Sequence, residues 1–369
     1  MARKIYYGAG GRARKVKKIY CGAGGRARKV RRGYIGVGGK ARPFWTGGEL
    51  AYYGNSEDGA VEGLVPQGIS ARAATPAGDY ALFSIFPQKT ANAYHKYLQR
   101  VSVSVTVSYA PYLKYAASVG GHALFAGGLG SDGNYGIAGV VAISSQLVVK
   151  SPSSLSEGRD LLGAASTKSY AIFAGGQPYA NNNGFGAPTT KVDAYSSGLT
   201  RTTAQALEKA KDSLQGESFF GGGYALFAWG GYANSSSNQG SYNTMDAYNN
   251  SLVRTNPEAL DDKYSSITHA CTEEHALFRV SSTVINAYSK DLTKIRVSNT
   301  PNVTGMKGLR LGEYALFAGD NRKNAFGYTK DLTCVEIPVP APHASGIAAA
   351  TGDYGLVSDS KGKVSVYTA

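Results

Sequence analysis

A tetrapeptide recurs along this chain and restricts the folds open to it. It reads Tyr-Ala-Leu-Phe at Tyr80–Phe83, Tyr224–Phe227 and Tyr314–Phe317, and Tyr-Ala-Ile-Phe at Tyr170–Phe173. His replaces Tyr at His122–Phe125 and His275–Phe278, and Tyr354–Val357 is a weakened copy, Tyr-Gly-Leu-Val. The seven starts lie 42, 48, 54, 51, 39 and 40 residues apart. A repeat of this length built on short β-forming runs predicts a propeller or a solenoid. Each anchor follows a Gly or polar turn, and several precede Gly-Gly, as expected of a short buried strand.

Each unit parses into four strands. A small-residue strand precedes every anchor: 68–75, 112–118, 161–167, 213–220, 265–271, 304–311 and 344–350. The anchor is the second strand. A third carries an aromatic residue at Tyr94, Tyr195, Tyr248, Tyr288, Tyr328 and Tyr367, with Ile143 in the second unit. The fourth is polar and β-branched, at 101–107, 147–150, 199–203, 252–255, 292–297 and 332–337, as suits a solvent-facing outer strand. The seventh unit lacks a fourth strand before Ala369. The expected fold is therefore all-β, a seven-bladed propeller over 60–369 whose last blade is closed by Val61–Val65 from the front of the chain. Leu50–Tyr53 has no settled place in this scheme, and 47–59 reads as a junction.

The charge of the chain, formally +14, is unevenly placed. Residues 1–48 hold 14 of the 39 Lys and Arg and none of the 25 Asp and Glu, so the rest is balanced. Residues 1–46 repeat with period 14, as in Ile5-Tyr6-Tyr7-Gly8-Ala9-Gly10-Gly11-Arg12-Ala13-Arg14 and its copies from Ile19 and Gly33. Gly-Gly can supply a tight turn, but such units hold too little apolar material for a core. The segment reads as an extended basic arm that docks on other proteins through Arg12, Arg14, Lys15, Lys17, Lys18, Tyr20, Arg26, Arg28, Lys29, Arg31, Arg32 and Tyr34. Two further readings are a salt-sensitive nucleic-acid tail and a solvated tail with no partner. Met1-Ala-Arg-Lys has no apolar run after it, and no stretch suits a membrane span, so the expectation is a chain made in a cytoplasm and neither secreted nor inserted in a membrane.

Three scattered cysteines, Cys21, Cys271 and Cys334, imply no disulfide framework or metal spacing. His269 and Cys271 share a strand face without a third ligand, and His122 and His275 read as packed rings. No catalytic constellation emerges; the chain is expected to be no enzyme and to need no cofactor or metal. The Gly-Ala-Gly-Gly runs lack the surroundings of a phosphate loop.

Length varies in one loop. From the last anchor residue to the third-strand aromatic position the gaps are 11, 18, 22, 21, 10, 11 and 10. The added residues, 127–140, 175–191 and 230–244, belong to three consecutive blades and should emerge on one face. Their Asn134, Tyr135, Tyr179, Asn181, Asn182, Phe185, Tyr232, Asn234 and Tyr242 are the residue types of adaptable recognition surfaces, and sugars suit them. Mobile tips without a ligand are the plainer alternative.

The order of small-residue strand, anchor with Gly-Gly and aromatic strand resembles the Kelch family of β-propellers. The double glycine stands at Gly127-Gly128, Gly175-Gly176 and Gly230-Gly231; four blades lack it, and the Trp that Kelch blades usually carry is absent. Together with the N-terminal units, these blades are similar to structural proteins of phages and prophages of Gram-positive bacteria. That resemblance implies a virion component, in tail fibre, baseplate or capsid decoration, present as a homo-oligomer and adhering to host glycans. The alternatives are a cytoplasmic Kelch-like scaffold with a nucleic-acid tail and a carbohydrate-active propeller enzyme.

Overall fold

The computed structural model describes residues 50–65, 70–86, 88–109, 112–130, 136–180, 184–218, 222–235, 238–262, 267–303, 305–319, 324–339 and 346–369. Before these, only strand backbones are described: three two-stranded antiparallel sheets pairing Tyr6–Ala9 with Arg12–Lys15, Ile19–Ala23 with Arg26–Val30, and Gly33–Val37 with Lys40–Trp45.

Seven four-stranded antiparallel sheets follow, each with its strands in sequence order except the last, whose outer strand comes from the front of the chain. The anchors form the second strands, as in Tyr80–Phe86, His122–Ala126 and Tyr170–Ala174. Their alternation explains the ring. Strand side chains point to opposite faces in turn, so Ala and Phe of each anchor pack on the preceding blade while Leu packs on the following one. Phe227 and Tyr248 of blade 4 share a core with Ile172 and Ala194 of blade 3. Leu226 shares one with Phe278 and Tyr288 of blade 5. The same junction closes the circle, where Phe83 and Tyr94 of blade 1 meet Leu356 and Val366 of blade 7. With both faces buried, the sheet stacks like a sandwich at every joint.

Within a blade the anchor Phe and third-strand Tyr are diagonal neighbours across the ladder. Their rings meet edge to face, with centroids 5.7 Å apart for Phe83–Tyr94 and 5.9 Å for Phe227–Tyr248. Such pairs contribute about 0.5–1.5 kcal/mol beyond the area they bury.

Two expectations are corrected. Blade 7 is completed by Ala51–Asn55, which pairs antiparallel with Val364–Thr368, and not by Val61–Val65. Leu50 packs in the core between blades 6 and 7 while Tyr53 packs between blades 7 and 1, so the segment serves both faces of a strand. Val61 and Leu64 stand three apart, which no strand face accommodates. They are buried instead in the segment leading into blade 1. The junction region thus contains the closing strand.

The second correction concerns the turns before the fourth strands. Leu98, Leu147, Leu199, Leu252, Leu292 and Leu332, read mostly as strand starts, lie at φ between 60° and 66°. In each turn the Leu amide donates to a carbonyl three residues back, as Leu199 does to Ser196 at 2.9 Å. This left-handed position ordinarily takes Gly. Leu is held there because its side chain joins the core between blades, which offsets a local cost of about 1–2 kcal/mol.

Candidate functional site

The first strands line the axis of the ring. Seven positions, each paired with the fourth residue of an anchor, form its waist: Ala74, Ala116, Ala164, Gly216, His269, Gly308 and Ala348. Six are Ala or Gly because the strands crowd together here. A Cβ on Gly308 would lie 1.7 Å from the carbonyl oxygen of His269, and one on Gly216 would lie 2.3 Å from that of Ala164. Blade 5 departs from the rule with His269. Its Nδ1 lies 3.1 Å from Oε2 of Glu217 on the neighbouring first strand, and both side chains are only partly shielded.

Cavities open on both sides of the waist. The larger, about 810 Å³, lies toward the turns between first and second strands and is lined among others by Glu217, His269, Cys271, Lys168 and Arg310. Cys271 is buried. Burial lowers the Arg310 pKa.

The smaller cavity, about 410 Å³, lies toward the starts of the first strands and carries Arg72, Lys114, Tyr115, Gln215, His269 and Lys307. Among the described residues that line it there is no Asp or Glu. Lys114 is tied to Asp160 at 2.7 Å, and the Tyr115 hydroxyl donates to the same carboxylate at 2.8 Å. Lys307 makes no ion pair among the described residues, and burial alone lowers its pKa.

The three long loops leave at this same end. Ala126 pairs with Tyr115, Ala174 with Gly163 and Ala228 with Gln215, so each second strand ends where its first strand begins. Gly127 and Gly175 open two of these loops at φ of 64° and 63°, a conformation that the double glycines permit. The described parts of the loops are ordered by pairing. In blade 3, Gln177–Ala180 bridges Arg159–Asp160 and Gly184–Phe185 in an added three-stranded sheet. In blade 4, Tyr224–Ser235 and Asn238–Asn249 continue the blade as a long hairpin.

Buried ions anchor these loops. Arg159 donates to Asp193 and to the carbonyls of Gly175 and Lys191, at the base of the blade 3 loop. Lys211 donates to Asp246 at 2.8 Å and to Thr244 Oγ1 at 3.1 Å. Blades 1 and 5 carry Asn92 and Asn286 at the equivalent position. The third-strand motif is Asp-Ala-Tyr where Arg159 or Lys211 enters, whereas in the Asn-Ala-Tyr blades Asn92 accepts from Arg100 and Asn286 donates to Asp261. The tyrosine hydroxyls complete the arrangement: Tyr94, Tyr195, Tyr248 and Tyr288 donate to the carbonyls of Glu62, Ser153, Gln205 and Glu258, each on the segment arriving from the preceding blade.

The expected recognition residues are only partly placed. Tyr179 and Tyr242 are half-buried in the blade 3 and blade 4 loops, and Lys209 Nζ lies 4.9 Å from the Tyr242 ring centre. Phe185, Tyr232 and Asn234 are placed by strand backbone alone, and Asn134, Tyr135, Asn181 and Asn182 lie outside the described residues. In the arm, Arg12, Arg14, Lys15, Tyr20, Arg26, Arg28, Lys29 and Tyr34 fall on paired backbone, while Lys17, Lys18, Arg31 and Arg32 lie outside the described residues. His122 and His275 are half-buried. Among the described residues no group of three His, Cys, Asp or Glu could hold a metal. Sequence reasoning passed over Lys307, Arg72 and the His269–Glu217 pair. Their signal was the waist position, where one histidine interrupts a series of Ala and Gly.

Comparison with family models and with curated proteins returned no match. Among solved structures the chain is similar to a streptogramin B lyase, with a TM-score of 0.57 and 12% identity over 83% of this chain and 95% of that one. It is also similar to a catalytically inactive virginiamycin B lyase from Staphylococcus aureus with quinupristin, with a TM-score of 0.57 and 10% identity over 87% and 100%. The selenomethionine-substituted virginiamycin B lyase from Staphylococcus aureus gives 0.56 and 10% over 87% and 99%. At these identities the likeness concerns the fold. The expectation that the chain is no enzyme is corrected to this extent: these three structures of the same architecture are lyases.

Proposed function

We propose that this chain is a display propeller of a phage particle. Residues 1–46 dock it on other virion proteins, and the end of the ring bearing the long loops meets a carbohydrate on the host surface. One observation supports this reading above others: the added loop length is confined to blades 2, 3 and 4 and stands beside the axial cavity at the same end of the ring. A ring serving only as a spacer has no reason to concentrate its extra residues there. The balanced charge of 49–369 against the purely basic arm suits two separate tasks. The particle is tested by removing 1–46 and purifying virions on density gradients: the shortened chain should be missing from them, and its continued incorporation rejects docking. The face is tested on glycan arrays with 175–191 and 230–244 shortened; unchanged binding rejects it.

A second reading is catalysis in the axial channel. The lyases that share the fold favour it, as does the His269–Glu217 pair at the waist, which could move a proton in an elimination or a hydrolysis. Incubation with quinupristin and with acidic oligosaccharides, followed by mass spectrometry, separates the readings: new product masses that vanish in His269→Ala establish turnover, and unaltered substrates reject it.

A further inference from the structure

We propose that the smaller axial cavity is an anion site, and that the ligand of the loop-bearing face is an acidic glycan whose carboxylate or phosphate enters it beside Lys307 and Arg72. The inference rests on the reading of that face as the ligand-facing one. Its basis is how the cations are distributed. Going round the ring, Lys307 comes from blade 6 and Arg72 from blade 1, with only Ile347 and Ala348 of blade 7 between them. Lys114 of blade 2, next along, is already neutralised by Asp160. The other side of the cavity is formed by Gln215 and by Leu162, Leu214 and Ile267, whose side chains are buried in the cores between blades.

Lys307 is not an ordinary surface charge. Lysines with a structural task in this chain are paired: Lys114 with Asp160, Lys211 with Asp246, Lys294 with Glu258 and Asp261. Lys307 is half-buried, lines a cavity with no carboxylate among the described residues that form it, and has no partner among the described residues. Keeping a shielded cation without a counter-ion costs stability, which an arriving anion recovers as charge-assisted hydrogen bonds. The cavity, about 410 Å³, has the dimensions of a small-molecule site. The loops of blades 2 to 4 would then hold the rest of the saccharide, giving the charged unit its orientation.

The test is calorimetric titration of the full chain with four probes: an oligogalacturonate, its methyl-esterified neutral form, a glycerol-phosphate oligomer and a short single-stranded DNA. The basic arm contributes the same background to every variant, so differences between variants are read. The acidic saccharide or the glycerol phosphate should bind at least about tenfold more tightly than the neutral ester, and the anion whose binding is the more sensitive to Lys307→Met identifies carboxylate or phosphate. Lys307→Met should weaken that binding about tenfold or more, as loss of one charge-assisted contact does. Lys307→Arg should retain most of it, and Lys330→Met, at the opposite end of blade 6, should leave it unaltered. Equal affinity for the neutral ester, or no effect of Lys307→Met in a folded protein, overturns the anion site. If shortening the loops then still abolishes binding, the ligand-facing reading survives that failure. DNA binding as tight as the saccharide's and equally sensitive to Lys307 overturns the glycan assignment. An absence of binding to all four probes overturns it as well.

Discussion

Arg159, on the segment entering blade 3, donates its guanidinium to the carboxylate of Asp193 in that blade's third strand, and neither side chain meets water. Asp193 also accepts from Arg201 at 2.9 Å and from the amide of Ser156 at 3.1 Å, so one carboxylate gathers three segments beneath the loop. Removing one side of such a pair leaves the other charge stranded. Asp193→Asn should therefore lower unfolding free energy by about 3–5 kcal/mol in urea titrations. Replacing Arg159 and Asp193 together by Leu and Asn should be less damaging than Asp193→Asn alone.

Ring closure depends on Ala51–Asn55. A chain beginning at residue 47 should melt cooperatively and run as a compact species on size exclusion. A chain beginning at residue 57 should lose several degrees or more in Tm and self-associate, because Val364–Thr368 becomes an unpaired edge. Equal melting of the two would contradict the closing role.

Lys307 should make the fold less stable than it could be. Its folded pKa is lowered, so the charged form is disfavoured on folding. The penalty is full at any pH below the lowered value and fades as pH rises through it toward the ordinary lysine value near 10.4. Lys307→Met should thus raise Tm by a few degrees at pH 7, and the gain should shrink in alkaline buffer. A lower Tm at pH 7 would show instead that the ammonium stabilises the fold.

The left-handed leucines reverse an ordinary ranking. At Leu98, φ is 64° and the side chain is buried. Leu98→Ala loses the packing and keeps the backbone cost, for about 2–4 kcal/mol. Leu98→Gly loses the packing but relieves the backbone, and should be about 1 kcal/mol more stable than the alanine variant. Equilibrium denaturation of the two proteins decides it.

Much of the blade was legible in the chain. Tyr-Ala-Leu-Phe alternates with period two, and its spacing sets the number of blades; both are local properties of neighbouring residues. The loop insertions were legible for the same reason, as lengths between recognisable strands. What misled was the closing strand: Leu50–Tyr53 stood in plain view, but its partner lies more than 300 residues away, and only pairing with Val364–Thr368 reveals its purpose. Leu147, Leu199, Leu252, Leu292 and Leu332 misled because φ depends on the whole turn, while their residue type suggests a strand.

The axial site belongs to tertiary structure for a further reason. Arg72, Lys114 and Lys307 come from three separate repeats, and nothing in the sequence between them records that they share a cavity. Pattern by itself determined that this chain builds seven sheets with two buried faces each, because burial of alternating side chains is decided within four residues. Which charges converge on the axis was decided only when the ring closed, because closure alone brings blade 6 to within one blade of blade 1 and sets Lys307 in a cavity with no carboxylate among the described residues that line it.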